Sequence, residues 1–280
     1  MQTTNPIFAN LNSPACLQMK SPSQNGASKK ASIQRGMHTF AIVALVAAAW
    51  SPAAYAYRPF EGTDANTAEA GTFELELGGS YLRYRDERSL QFPAVVANWG
   101  ITKDSEIVLE GVLIRRLGDT GEAHRTSLED TALSLKHVFR RGTLQEASGP
   151  SIAGECGILL PTAYGPSGTG ASCALITSIS GKPGAIHFNA ALMRTRERTI
   201  NRFVGVIVEG PDDWKVRPVA EFVTQRTSGE ARINSVLLGA IWKKSEHLSF
   251  DVALRRGRDG GENISEIKAG LTYNFEMGKS

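Results

Sequence analysis

No run of 18 apolar residues occurs anywhere in this chain, which excludes a hydrophobic helix crossing a bilayer. Helical periodicity is missing too: beyond Gly71 the apolar residues show almost no three- and four-residue spacing. Cysteine is scarce, with three in 280 residues, so no disulfide framework carries the fold. The five histidines, His38, His124, His137, His187 and His247, are scattered and offer no metal-ligand spacing. Residues 1–56 contain no acid at all but hold Lys20, Lys29, Lys30 and Arg35. If that segment is removed, 27 basic residues face 28 acidic ones, and the apparent basicity of the whole chain disappears. Nucleic-acid binding then loses its main support.

The first 56 residues read as an export leader. The longest apolar run, "FAIVALVAAAW", spans Phe40 to Trp50. It follows basic residues and precedes a small-x-small ending, Ala54-Tyr55-Ala56, so residues 37–56 form a signal peptide cleaved after Ala56. Residues 1–36 are rich in Ser, Asn, Gln and Lys without an apolar pattern. Either Met37 is the true start, or the basic region is extended. Export places Cys156 and Cys173 in an oxidising compartment.

What the remainder has is alternation. In "GTFELELGGSYLRY", Gly71 to Tyr84, Phe73, Leu75 and Leu77 alternate with Glu74 and Glu76. Period two is the signature of a strand with one apolar and one polar face. The pattern recurs in twelve segments, at roughly 72–84, 89–99, 104–115, 127–140, 150–161, 171–181, 184–194, 200–210, 214–225, 232–243, 247–257 and 264–275. Each is close to the ~9–11 residues that a tilted strand needs to cross a bilayer. A soluble sandwich alternates in the same way, so polarity alone does not decide between apolar residues facing a dry core and apolar residues facing lipid.

Three features favour lipid. Short turns such as "GITK", "GKPG" and "GPDD" fall at every second connection, with longer loops tending to lie between them, although "RDER" and "GTLQEASG" break the pattern. Arginine gathers at the outer loops and strand ends, whereas the inner turns use Lys103, Lys182, Lys215, Lys243 and Lys244. A guanidinium grips phosphate oxygens bidentately and an ammonium does not. Finally, Trp99, Trp214, Trp242, Tyr273 and Phe275 sit near inner ends, and Tyr81 and Tyr84 near an outer end, as two interfacial girdles would require; strict alternation alone turns Trp99 inward. The expected fold is all-β: an antiparallel up-and-down transmembrane β-barrel over residues 72–275, with about 12 strands (10 to 14 if a hairpin is misassigned). A polar segment, residues 57–71, precedes it, either as a plug in the lumen or hanging free. A tail, residues 276–280, follows it.

Several stretches in order, "YRPFEGTDANTAEAGTFELE", "WGITKDSEIVLEG", "LEDTALSLKHVF", "GPSIAGECGILLPT", "HFNAAL" and "VAEFV", make the chain resemble the outer-membrane protein family of the phenol meta-degradation pathway. The resemblance covers nearly the whole chain from Tyr57, with "TDAN" standing where that family has Thr-Asp-Asp-Ala. It implies an outer-membrane β-barrel of a Gram-negative bacterium that helps small, often hydrophobic or aromatic, compounds enter the cell.

Parity assigns the interior. Glu74, Glu76, Glu106, Glu110, Asp130, Lys136, Glu155, His187, Asn189, Arg217, Glu221, Asp251, Arg255 and Lys268 are the expected lumen-lining residues. Acids outnumber bases among them, so the lumen either prefers cations and neutral polar solutes or is a narrow barrel filled by paired ions. Arg83, Arg115, Arg116, Arg194, Arg196 and Arg255 are candidate contacts to lipid phosphate. Cys156 and Cys173 share the lipid face; they lie opposite if the hairpin centres near residue 164 or 165, and apart if it centres at Pro166-Ser167. "HFN" places His187 and Asn189 on one face, as in outer-membrane lipases, yet no serine or threonine partner is assignable. "YGPSGTGASC" lacks the Lys-Ser/Thr of a phosphate loop. The reading is therefore a non-enzymatic barrel without cofactor or metal. Its partners would be outer-membrane lipid and lipopolysaccharide, a small-molecule solute and the barrel assembly machinery. Its function is passive transport or, alternatively, a structural or binding role.

Overall fold

The computed structural model describes residues 58–118, 126–164 and 167–276. The leader, including Ala54 and Ala56, lies outside the described residues, as do Arg125 and the tail after Glu276. Twelve strands follow one another: β1 (Thr72–Tyr84), β2 (Glu87–Thr102), β3 (Ser105–Leu117), β4 (Thr126–Arg140), β5 (Ser151–Leu159), β6 (Gly170–Gly181), β7 (Gly184–Arg194), β8 (Ile200–Glu209), β9 (Val216–Thr227), β10 (Arg232–Lys243), β11 (Leu248–Asp259) and β12 (Glu262–Glu276). Each pairs antiparallel with its neighbours in sequence, and β1 pairs with β12 from Thr72↔Glu276 to Tyr84↔Ile264, which closes the barrel. Closure pairs the backbone all round and leaves no sheet edge.

The polarity is inverted relative to a water-soluble protein. Phe139 is 68% exposed and Leu238 62%, while Lys136 is 1% exposed and Asn189 wholly buried. Along β10, Ile233, Leu237 and Ile241 face inward and Val236, Leu238 and Trp242 outward. A continuous outer wall of leucine, isoleucine, valine and phenylalanine is stable against acyl chains and not against water.

Bulges adjust this alternation. The register of β2 slips against both neighbours around Phe92-Pro93, so inward residues shift from Gln91 to Ala94, Val96 and Asn98. That slip turns Trp99 outward, correcting the inward direction that strict alternation gives it. A second bulge lets both Glu129 and Asp130 of β4 point inward, and Asp130 takes a positive φ of 52° there.

Aromatics gather at the end of the barrel that carries Thr72 and Glu276. Phe73 and Phe275 have ring centroids 6.1 Å apart, Tyr273 and Phe275 4.5 Å, and Trp242 and Phe250 5.7 Å. Tyr84 does not join a girdle at the other end; it is buried inside and donates to Asp259. The ten-residue connection 141–150, long for its side of the barrel, folds a short 3₁₀ turn, Thr143–Gln145, across the mouth. Gln145 Nε2 there donates to Ala65 O at 2.8 Å.

Cys156 and Cys173 are register partners on the outer face, so the hairpin centres between residues 164 and 165, and the two are joined by a disulfide. Denatured, exported protein is expected to take up no alkylating reagent until it is reduced, and then to gain two adducts by mass spectrometry; labelling before reduction would contradict the bridge.

Candidate functional site

The interior is occupied by the chain's own N-terminal segment. Residues 58–66 run inside the barrel, and the chain leaves through the mouth near Thr72. Such a segment has backbone N–H groups to satisfy away from water, and the barrel supplies side-chain acceptors. Glu221 accepts from two consecutive amides, Glu61 N at 2.8 Å and Gly62 N at 2.6 Å. Asn189 is used on both sides: its Oδ1 accepts from Thr63 N at 3.0 Å, and its Nδ2 donates to Thr63 O at 2.8 Å. Ala65 N donates to Ser178 Oγ at 2.9 Å and Ala68 N to Glu106 Oε2 at 2.6 Å. Four strands thus hold this plug as a sheet neighbour would.

Ion pairs and one aromatic anchor add to these bonds. Arg58 lies over the register-paired Gly78 and Gly270, with Nη2 donating to Ala269 O at 3.2 Å and Nε 3.4 Å from Asp251. A Cβ at either glycine would meet the guanidinium, so the pair forms a notch that only glycine leaves open. Phe60 packs among Ile207, Val219, Leu237, Ile241 and Ala253; burying such a ring is worth about 1.5–3 kcal/mol. Glu61 pairs with Lys268 and lies 3.4 Å from Arg255, whose Nη2 is 2.7 Å from Glu266. Lys136 Nζ stands 3.4 Å from Glu106, 3.3 Å from Thr63 Oγ1 and 3.9 Å from Asp64.

Burial alone would raise the Glu61 carboxyl. Arg255, Lys268 and Arg58 outweigh it and hold the group at about 2 instead of 4.5. Because the docked value lies below the free one, this carboxylate favours docking above about pH 4.5, and the advantage is lost as pH falls toward 2. Asp64 acts in the opposite sense: burial raises its carboxyl, and Lys136 and His187 offset that only in part. The part of any acid-induced ion leak that Glu61 causes between pH 4.5 and 2 should be missing in Glu61→Gln; the same pH dependence in that variant and the unaltered chain would contradict Glu61 as a pH-dependent anchor.

All fourteen residues assigned to the lumen by parity are buried inside the barrel: Glu74, Glu76, Glu106, Glu110, Asp130, Lys136, Glu155, His187, Asn189, Arg217, Glu221, Asp251, Arg255 and Lys268. Six of them, Lys136, Asn189, Glu221, Asp251, Arg255 and Lys268, touch the plug, and Glu106 holds Ala68 just after it, so much of the interior charge serves docking. Asn98 ties Glu74 and Glu76 together at 3.1 and 3.3 Å. Among the described residues, neither oxygen of Asp130 has a hydrogen-bond partner.

His187 is held by Ser178 Oγ at 2.8 Å on Nδ1 and by Glu209 at 3.1 Å on Nε2, and Arg217 lies 2.9 Å from Glu209. The arrangement matches a nucleophile relay in composition only: Ser178 is fully buried, and its oxygen takes the plug's Ala65 amide. Asn189 serves Thr63 and does not orient the histidine.

Of the candidate phosphate ligands, Arg83, Arg115 and Arg194 are exposed on the outer surface. Three others do not face lipid. Arg116 follows Arg115 and so points the other way, to Ser127 and to Glu129 at 3.1 Å. Arg196 folds over the rim onto Leu160 O and Thr131 O, each at 2.8 Å. Arg255 has inward parity and meets Glu61 and Glu266.

The interior is also less uniformly polar than alternation suggests. Toward the end away from the termini it holds Leu82, Tyr84, Ile233 and Ile264 in one cluster and Ala94, Val112 and Ile114 in another. The opposite end opens into a vestibule of 1100 Å³, bordered by Asp64, Glu69, Glu106, Gln145, His187 and Glu209.

No protein-family model matches this chain, and no curated protein does. In fold it is similar to an outer membrane channel from Pseudomonas putida F1, with TM-score 0.54 and 10% identity, covering 75% of this chain and 97% of that one. It is also similar to the NanC porin, with TM-score 0.51 and 7% identity, covering 71% and 98%. At such identities the likeness shows the outer-membrane barrel fold alone.

Proposed function

We propose that this protein is a passive outer-membrane channel whose resting state is closed by its own N-terminal segment. The observation that carries the reading is the docking of residues 58–66 through buried ion pairs and side-chain bonds above a wide, polar vestibule. A solute moves down its gradient when the plug yields, entering past the apolar clusters at the outer end and leaving through the polar inner mouth. That order of surfaces suits a small solute with an apolar or aromatic body and a polar handle, which agrees with the class implied by the resemblance to the phenol meta-degradation family. The inner side faces the periplasm, the leader directs export, and barrel assembly machinery inserts the chain.

A second reading is a barrel without transport, and the filled interior favours it: Ile176, Asn189 and Ser178 are fully buried at mid-barrel. Flux into liposomes carrying the purified exported chain separates the two. Phenolic and other aromatic solutes should enter faster than into empty liposomes, and faster than sugars of similar size. Equal rates with and without protein for sugars, amino acids and aromatics would leave only the second reading.

A further inference from the structure

We propose that the outer face of β10, β11, β12 and β1 is a seat for a phosphorylated, acylated glycolipid of the outer leaflet. The proposal rests on the outer-membrane placement above and not on transport. A groove of 1080 Å³ crosses this wall and is bordered by Arg83, Arg85, Arg256 and Arg258. Register arranges its border in tiers. Tyr81 pairs with Ile267 and Ile267 with Leu254, forming a lower apolar tier. One step outward, Arg83 and Arg256 flank Ser265 from the two sides. One step further, Arg258 stands between Asn263 and Asn234. Arg85 sits on the turn above, half-exposed, with its guanidinium 5.0 Å from the Tyr84 ring and its Nη2 3.7 Å from Asp259.

Side chains two residues apart on a strand are separated by roughly 6.6–6.8 Å. The groove thus offers two levels of guanidinium above an apolar floor. A guanidinium fork matches phosphate oxygens bidentately; asparagine and serine between the forks suit sugar hydroxyls; Tyr81, Ile267 and Leu254 suit acyl chains. Four arginines against Asp86, Glu262 and Glu266 leave the border of the groove net positive by one. A glycolipid carrying phosphate, sugar and acyl chains meets all three tiers, whereas a simple anionic phospholipid meets two.

The test uses the folded, exported chain in detergent, with diphosphoryl lipid A, enzymatically dephosphorylated lipid A and phosphatidylglycerol as probes. Retention is read by native mass spectrometry and by the temperature at which unboiled gel migration is lost. Diphosphoryl lipid A should be retained most tightly. The combined variant Arg83→Ala, Arg256→Ala, Arg258→Ala should bind it about tenfold or more weakly, since charge-assisted hydrogen bonds are lost. Lys182→Ala, Lys215→Ala, in exposed turns at the opposite end of the barrel, should bind as the unaltered chain does. Equal retention by the triple variant, or phosphatidylglycerol held as tightly as lipid A, would overturn the proposal. A chain that shows no heat-dependent migration at all would instead remove the barrel reading beneath it, and absence of solute flux would remove the channel while leaving the lipid result standing.

Discussion

Deleting residues 58–66 should raise solute and ion flux through reconstituted barrels by an order of magnitude or more, while unboiled gel migration still reports a closed barrel. The barrel keeps its complete strand ladder without this segment, because strand pairing begins at Thr72. The segment itself contributes Phe60, Arg58, Glu61 and the backbone amides held by Glu221, Asn189 and Ser178. Removing it empties the middle of the lumen and leaves those acceptors facing water. A point variant gives the same direction with less disruption. Gly78→Val places a side chain where the Arg58 guanidinium lies and should loosen the plug without touching its sequence. Unchanged flux after the deletion would mean that the apolar clusters toward the far end, and not the plug, close the path.

The largest stability effect should come from Arg255→Met. Arg255 is 3% exposed and stands between Glu266, at 2.7 Å, and the plug's Glu61, at 3.4 Å. Removing one partner of a buried pair leaves an uncompensated charge and costs about 3–5 kcal/mol. Glu61 retains Lys268, but no second cation pairs with Glu266 among the described residues. The variant should therefore lose heat-resistant migration at a markedly lower temperature and also leak. Adding Glu266→Leu should recover much of the loss, because removing both partners is far less costly than removing one. Arg255→Lys keeps the charge but not the fork, and should fall between. Full stability of the single variant would show that the pair is solvated.

Much of this architecture is written in the alternation. The segments read at 72–84, 184–194 and 232–243 coincide with β1, β7 and β10, since strands crossing a bilayer obey period two over their whole length. Parity fails where the backbone inserts a residue: the slip at Phe92-Pro93 redirects Trp99, and the bulge at Glu129-Asp130 turns two acids inward together. It fails at loop ends for the same reason, since Arg196 lies outside any ladder that would fix its direction. The plug is less legible still. Residues 58–66 carry no period, and the partners of this segment and of Ala68 just after it, Glu221, Asn189, Ser178 and Glu106, lie on four different strands. Only an excess of lumen acids beyond what lumen bases pair points to something else inside, and the backbone amides of the plug are what several of them bind.

The inverted polarity is tested most directly along β10, by placing single labelled cysteines at Ser235, Val236, Leu237 and Leu238 in vesicles whose acyl chains carry bromine. Val236 and Leu238 should be quenched and Ser235 and Leu237 little, in keeping with their outward and inward directions. Quenching without this alternation, or at Ser235 and Leu237 in place of their neighbours, would contradict it.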